Sequence, residues 1–209
     1  VLGTTSHIVV TRAGGISDYR EVMRELDAIP EVLESAPFFA GQVLLKSETA
    51  VMGAAIRGVV PEEEAKVSAF AEYLDGTLPE GGIVLGTELA RQLNVFSGDT
   101  IKVISPYFVS TPMGEVPYKK NLVVTGIYSS GMYEYDASFC FVTLEQAQRL
   151  FGVERTISGI EVKIGDPMQA GVIAAAISRR LENGLWARSW MDLNRTFLAA
   201  LRHEKIIMA

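Results

Sequence analysis

A proline-rich stretch of fifteen residues, 106–120 (PYFVSTPMGEVPYKK), separates two strand patterns in the middle of the chain. Residues 100–105 (TIKVIS) alternate apolar and polar side chains, and residues 121–128 (NLVVTGIY) are rich in β-branched and aromatic side chains. Both segments are therefore predicted to be strands, paired as the arms of one hairpin. Most hairpin loops contain about two to five residues, so a connection of this length needs either its own structure or a function.

Three prolines stiffen this connection. Pro106, Pro112 and Pro117 each fix φ near about −65°, remove an amide donor and favour extended geometry in the preceding residue. A stiffened segment loses less conformational entropy when a partner binds it. Between the prolines, Gly114 permits a tight reversal that presents Met113, a flexible and polarizable apolar side chain, at the tip. The connection is therefore interpreted as a probe for a partner.

An ordinary surface loop is the alternative. In that case Tyr107, Phe108, Val109 and Val116 fold the arm back onto the domain, and Met113 fills a gap. The spacing of the residues leaves both interpretations open.

Composition restricts the function. The chain has 209 residues, a formal net charge of −6 and a pI of about 5.1. It has no lysine or arginine block, which excludes a general nucleic-acid binder. The single cysteine, Cys140, lies in a strand-like run (FCFVT) and is predicted to be a buried apolar residue. The chain starts at Val1 and stops within an apolar helical pattern, so we expect it to be a piece of a longer protein whose membrane segments lie elsewhere.

The N-terminal part has a β-α-β pattern. Residues 7–12 (HIVVTR) predict a strand that Gly14-Gly15 breaks, and residues 18–29 predict a helix that Pro30 ends. Three further strands are predicted, at residues 32–39, 41–46 and 51–60. Residues 61–64 (PEEE) then fit the first turn of a helix, where the three glutamates are interpreted as a solvated helix start.

Residues 78–82 (LPEGG) mark a boundary, after which the chain supplies a second set of elements. These are predicted strands at 83–85 and 139–143 and helices at 87–93 and 144–151, besides the hairpin. The C-terminal part returns to a β-α-β pattern, with strands at 160–164 and 185–189 and helices at 166–182 and 190–209. The sequence therefore predicts an α+β protein of two lobes, one from residues 1–77 and 154–209 and one from residues 78–153.

No catalytic motif is present. His7 lies in a strand pattern, and His203 lies in the last predicted helix without a second ligand at metal spacing. The pairs Gly14-Gly15 and Gly81-Gly82 lack the context of a phosphate loop. We therefore predict no cofactor and no metal. Because no catalytic site is visible, we predict a binding or force-transmitting domain rather than an enzyme.

Residues 82–128 carry a family resemblance. The pieces IVLGTELARQLNVFSGDTIKV, TPMGEVP and NLVVTGIY resemble the periplasmic domain of LolC-type subunits of the lipoprotein-releasing ABC transporter. The whole chain resembles the MacB-like periplasmic core domain, whereas the Pro-Met-Gly arm is particular to the LolC type. The resemblance implies a non-enzymatic periplasmic domain of a bacterial inner-membrane protein, with a Porter-like lobe from both chain ends and an inserted Sabre-like lobe.

The same resemblance implies partners and binding residues. LolC-type subunits bind the periplasmic chaperone LolA through a protruding hairpin, the hook, and a nearby surface, the pad. The implied partners also include a LolE-type or second identical permease subunit, a cytoplasmic LolD-type ATPase and the lipoprotein substrates. The implied hook is residues 106–120, and the implied contacts are Pro112, Met113 and Gly114 at the tip, Pro117, Lys119 and Lys120 in the returning arm, and Lys102 on the pad. Lys102 keeps the positive charge of the arginine that the family has at the pad, but it lacks the planar guanidinium group that forms bidentate pairs with carboxylates.

A second hypothesis belongs to a different class. The chain would be the force-transmitting domain of a MacB-like efflux or stress-response permease, which contacts a periplasmic adaptor. The long proline-stiffened arm favours chaperone recruitment over this role.

Overall fold

The computed structural model of the chain describes residues 6–112, 114–181 and 184–193. The strands in these ranges are β1 (Ile8–Ile16), β2 (Val32–Lys46), β3 (Val51–Val59), β4 (Leu74–Gly76), β5 (Gly82–Gly86), β6 (Thr100–Thr111), β7 (Gly114–Tyr128), β8 (Phe139–Thr143), β9 (Ile157–Ile164) and β10 (Leu185–Ser189). The α-helices are α1 (Tyr19–Asp27), α2 (Pro61–Val67), α3 (Phe70–Tyr73), α4 (Thr87–Leu93), α5 (Tyr133–Ser138), α6 (Leu144–Phe151), α7 (Ala170–Arg180) and α8 (Trp190–Leu193). None of these helices has the length and hydropathy needed to cross a lipid bilayer.

All of these strands belong to one hydrogen-bonded sheet. Its order is β10-β1-β9-β2-β3-β8-β5-β7-β4, and β6 pairs with both β2 and β7. The parallel pair β3–β8 and the antiparallel pair β2–β6 join the strands of the predicted chain-end lobe to those of the predicted inserted lobe. The sheet is thus continuous between the two groups, and the residue limits of the lobes stay a prediction.

The sheet has a core on each face. Along β5, Ile83 and Leu85 point into the larger core, whereas Val84 points into the smaller one, because successive residues of a strand face opposite sides. Helices α1, α4, α6 and α7 contribute buried residues to the larger core. The smaller core includes Phe70 of α3, whose ring packs against Tyr128.

Several strand limits predicted from the sequence are wrong; β9, for example, begins at Ile157 rather than at residue 160. β1 does not end before Gly14 and Gly15 but continues to Ile16, with a shift of register against β9. Both glycines have positive φ, 80° and 89°, so they form an irregularity inside the strand. β2 is one strand rather than two, because Gly41 leaves room for the ring of Phe151, which a Cβ atom would overlap.

The helix predicted from Pro61 is confirmed as α2, but one of its glutamates is misinterpreted. Glu62 is exposed, as expected for a solvated helix start, whereas only 3% of the surface of Glu64 is accessible to solvent. Glu64 is buried because its side chain faces the sheet. A charged group in that position needs partners, which are described below.

The C-terminal helices differ in part from the prediction. Asp166 caps the first of these helices, with its Oδ1 accepting a hydrogen bond of 3.0 Å from the Met168 amide. The first turn is a 3-10 helix, Pro167–Gln169, before α7 begins. α7 ends at Arg180, two residues before the predicted end of the helix at 182. The last predicted helix beyond Leu193 lies outside the described residues, as does His203.

Candidate functional site: the β6–β7 hairpin

The candidate site is the hook, residues 106–120. The two flanking strands are the arms of one hairpin, as predicted, and both continue into the hook itself. Their pairing runs from Thr100 opposite Val123 to Thr111 opposite Gly114, so only residues 112 and 113 connect them. The Thr111 hydroxyl donates a hydrogen bond of 2.7 Å to the Gly114 carbonyl oxygen and closes the end of the hairpin.

The ladder of the hairpin is interrupted at the base of the hook. Ile104 pairs with Lys119 and Phe108 pairs with Pro117, so residues 105–107 of β6 stand opposite a single residue of β7. Such a bulge bends the strand that carries the extra residues. It separates a lower part of the hairpin, which belongs to the sheet, from the hook.

Local contacts hold this bulge in place. Pro106 lies within it, at a position where no ladder donor is needed. Ser105 is buried, and its Oγ accepts a hydrogen bond of 3.1 Å from the Tyr107 amide. The ring of Tyr107 packs over Gly152 at the end of α6, where a Cβ atom would overlap the ring. The base of the hook is therefore fixed against α6.

Beyond the bulge the hook is a two-stranded ribbon. Among the described strands, β2 is the one other strand beside β6, and it pairs with residues 102–104 of β6. Phe108 keeps 54% and Val116 40% of their exposure. Tyr107 is also 40% exposed but packs against Gly152. The alternative of an arm folded onto the domain therefore applies to Tyr107 in part and not to Phe108 and Val116. Exposed apolar side chains on a projecting ribbon are typical of a contact surface.

Two of the predicted lysines lie together on the outer face of the sheet. Lys102 pairs with Asn121 on β7 and with Lys46 on β2. Directly opposed residues share a face, and so do residues two apart along a strand, which adds Lys119 to the same face. We call Lys46, Lys102 and Lys119 the lysine row. All three are exposed, and none forms an ion pair with another residue in the described part of the chain.

The other predicted contact residues do not belong to the lysine row. Lys120 follows Lys119 directly and so points to the opposite face, where it is half-buried and pairs with Val103. Pro112 and Gly114 are exposed at the tip, and Pro117 is half-buried in β7. Met113 lies outside the described residues.

An open groove of about 660 Å³ lies beside the base of the hook. Leu44 and neighbouring residues of β2 and β3 form one wall, and Ile104, Phe108 and Pro117 contribute to the other. Leu44 keeps 48% of its exposure. Because Leu44 pairs with Ile104, this apolar groove and the lysine row share the outer face. A partner seated there would meet apolar and cationic groups together.

Sequence reasoning missed Lys46 and Leu44. The alternation of residues 43–46 (VLLK), with Val43 and Leu45 buried, does place both side chains on an exposed face. The missing information was the strand beside them, because the β2–β6 pairing joins segments about sixty residues apart in the chain.

His7 and Cys140 are poorly placed for acid–base chemistry. His7 is half-buried, its Nδ1 lies 3.1 Å from the Ile164 carbonyl oxygen, and burial lowers its pKa. Cys140 is fully buried, as predicted, and burial raises the pKa of its thiol. In the described ranges, no group of three or more His, Cys, Asp or Glu side chains is arranged to hold a metal ion.

The family is decided by comparison with known sequences. The MacB-like periplasmic core domain matches residues 3–180 of the chain. The chain belongs to this family. Its β6–β7 hairpin is therefore part of a MacB-like periplasmic core domain.

Individual relatives of this MacB-like domain are LolC proteins. The present chain is 30% identical over 199 residues to the lipoprotein-releasing system transmembrane protein LolC of Neisseria meningitidis serogroup B. The matched region covers 92% of this chain and 48% of that protein. The chain is 29% identical over 215 residues to LolC of Xylella fastidiosa, covering 100% of this chain and 52% of that protein. The chain thus spans about half the length of these relatives, and the predicted resemblance to LolC-type subunits is confirmed.

A solved structure shows the same fold. The periplasmic region of MacB from Actinobacillus actinomycetemcomitans superposes with a TM-score of 0.60 at 14% sequence identity, covering 94% of each chain. At this identity the likeness concerns the fold alone. The predicted MacB-like fold is confirmed.

Proposed function

We propose that this chain is the periplasmic domain of a permease subunit of a lipoprotein-releasing ABC transporter, and that its hook recruits a LolA-like periplasmic chaperone. The observation that carries the proposal is the two-stranded ribbon with its exposed apolar side chains. Beside it lies the lysine row, which forms no ion pair among the described residues. The names of the relatives support the transporter, and the Pro-Met-Gly sequence at the tip supports the hook.

Met113 is proposed to enter an apolar groove of the chaperone. Burying a methionine side chain contributes about 1.5–3 kcal/mol, which corresponds to roughly a tenfold to hundredfold gain in affinity. Because the ladder continues to Thr111 and Gly114, the tip is presented by a paired ribbon rather than by a free loop. Less conformational entropy is therefore lost on binding.

The lysine row is proposed to orient the chaperone through its carboxylates. Lys102 and Lys119 lie on the outer face beside the apolar groove, so one partner surface reaches both. Lys120 points to the other face, and we propose that it makes a weaker, peripheral contact. Lysine ammonium groups form point-charge contacts rather than bidentate pairs, so their contribution is expected to depend strongly on salt.

The whole protein is proposed to act at the bacterial inner membrane, where this domain lies on the periplasmic side. A LolE-type or second identical permease subunit completes the membrane part, and a LolD-type subunit in the cytoplasm hydrolyses ATP. Lipoproteins released from the inner membrane pass to the chaperone on their way to the outer membrane. In this scheme the domain binds the chaperone and transmits force, and it does not itself catalyse a reaction.

A capture experiment separates this proposal from a purely force-transmitting role. The domain is immobilised in two forms, the natural one and one in which Asn-Gly replaces residues 106–117, and both are exposed to periplasmic extract. The proposal predicts that only the natural form retains a LolA-like chaperone. Retention of a periplasmic adaptor by both forms, without the chaperone, would favour the force-transmitting role.

A further inference from the structure

Three charged side chains are gathered on the sheet face that carries the smaller core, away from the hook. Glu64 projects from α2, Arg57 from β3 and Glu161 from β9. Glu64 is 3% and Glu161 7% exposed. Buried carboxylates require compensation, because water no longer solvates their charge.

Each carboxylate has one oxygen engaged by a serine. The Ser68 hydroxyl donates a hydrogen bond of 2.8 Å to Glu64 Oε1, and the Ser6 hydroxyl donates one of 3.0 Å to Glu161 Oε1. Arg57 Nη2 lies 2.6 Å from Glu161 Oε2, so a short ion pair joins Arg57 to Glu161.

The second oxygen of Glu64 lacks a donor. Glu64 Oε2 is buried and has no hydrogen-bond partner among the described residues, and Glu161 is the neighbouring carboxylate that acts on Glu64. With both carboxylates ionised, the cluster holds two negative charges against the one positive charge of Arg57. A single proton on one carboxyl would make the cluster neutral and would supply the missing donor.

We propose that Glu64 and Glu161 form a buried proton-binding site, in which one proton on Glu64 bridges the two carboxyl groups and ties α2 to β9. Arg57 compensates the remaining charge on Glu161. The site is independent of the hook and of chaperone recruitment.

The electrostatic surroundings agree with this assignment. Burial, reinforced by the negative charge of Glu161, raises the pKa of Glu64 to about 7, and Arg57 opposes the rise only in part. Burial alone would lower the pKa of Arg57, but the two carboxylates outweigh that effect and raise it. The titratable or charged groups around the site are Arg57 on β3, Glu161 and Lys163 on β9, Tyr128 on β7, Tyr135 on α5, and Glu34 on β2, which pairs with Lys66 of α2. On α3, Glu72 is exposed.

The proton links the stability of the domain to pH. The folded-state pKa of Glu64 lies above the usual carboxyl value of 4.5, so between these two values the folded state binds more protons than the unfolded state. The stability contributed by the bound proton is fully present below about pH 4.5 and is lost as pH rises towards about 7. Between pH 5 and pH 8 this site alone is expected to raise the unfolding equilibrium constant roughly 50- to 100-fold.

The direct test is an NMR titration of the Glu64 side-chain carboxyl carbon in the natural domain. The proposal predicts a midpoint near pH 7, with the Glu161 carboxyl carbon responding over the same range. A Glu64 midpoint near the ordinary carboxyl value would overturn it. This measurement needs no variant and is informative whether or not substitutions at the site fold.

A pair of variants provides an independent test. Glu64→Gln replaces the protonated carboxyl with an isosteric neutral amide, so the 50- to 100-fold pH dependence between pH 5 and pH 8 should be lost. Glu62→Gln on the same helix turn, where Glu62 is exposed, is the control and should keep it. Urea unfolding at several pH values measures both. Equal pH dependence in the two variants would contradict the proposal.

Discussion

Lys46 on β2 and Lys102 on β6 stand directly opposite each other in the antiparallel ladder. Both are exposed, and neither has an acidic partner among the residues that the structure describes. Like charges opposed across a ladder destabilise a sheet. The opposed lysines fit the proposed role of this face, which is to contact a negatively charged partner surface.

The substitution Lys46→Glu should therefore have opposite effects on folding and on binding. It places a carboxylate opposite Lys102, so the free energy of unfolding should rise by about 0.2–1 kcal/mol. It also reverses one charge of the lysine row, so the affinity for the LolA-like chaperone should fall, most clearly at low salt. Urea unfolding and calorimetric titration measure the two quantities. Lys120→Glu, on the other face, should reduce the affinity less, and equal losses for the two variants would argue against a one-sided contact.

Gly152→Ala should loosen the base of the hook. Gly152 has a φ of 64°, and a Cβ atom there would overlap the ring of Tyr107. Gly131 has a φ of 77° but open space around it, so Gly131→Ala carries the backbone cost, about 1–2 kcal/mol, without the clash. Thermal unfolding should show a larger loss for Gly152→Ala. Hydrogen exchange should also be faster at the amides of Ser105, Tyr107 and Phe108 in that variant, and equal exchange in both variants would mean that Tyr107 does not anchor the hook.

Arg57→Met should destabilise the domain strongly. The substitution leaves Glu161 buried without its nearby positive charge, and breaking a buried pair in this way costs about 3–5 kcal/mol. Arg57 also stacks its guanidinium over the Phe38 ring at 4.4 Å, a contact that methionine keeps only in part. Arg179→Met, at an exposed position of α7, is the matched control and should change stability by less than about 0.5 kcal/mol. A loss below 1 kcal/mol for Arg57→Met would mean that the cluster is compensated in another way.

Cys140 should react with a maleimide only when the domain unfolds. The thiol is completely buried, and burial raises its pKa, so little thiolate is exposed to the reagent in the folded state. It is the only cysteine of the chain, which makes the labelled fraction a direct measure of unfolding. The labelled fraction should follow the urea unfolding curve. Fast labelling without denaturant would show that β8 opens locally.

Local patterns were enough to predict most of the elements. The helices at 87–93 and 144–151 and the strands at 139–143 and 185–189 agree with the structure to the residue, because their hydrophobic periodicity and their flanking residues act over short distances. The hairpin was predicted for the same reason. The predicted break after residue 39 is wrong, and the role of Gly41, which is to admit the ring of Phe151 from α6, is one that no local pattern reveals.

Long-range placement could not be predicted. From the sequence, Glu64 could not be distinguished from the exposed Glu62 in the run PEEE, because only the sheet beneath α2 brings Arg57 and Glu161 to it. Lys46 likewise became part of the candidate site only through the β2–β6 pairing. Both cases depend on strand order, which is set by the packing of the whole sheet and not by the segment itself.

The most direct test of the proposed function is calorimetric titration of the domain with the LolA-like chaperone of the same organism. Two methionine substitutions are compared with the natural chain: Met113→Glu at the hook tip and Met168→Glu at a position that is 69% exposed beside α7. The proposal predicts saturable one-to-one binding that Met113→Glu abolishes and Met168→Glu leaves unchanged. Equal binding by both variants, or no binding of the natural domain at high micromolar concentration, would contradict recruitment through the hook.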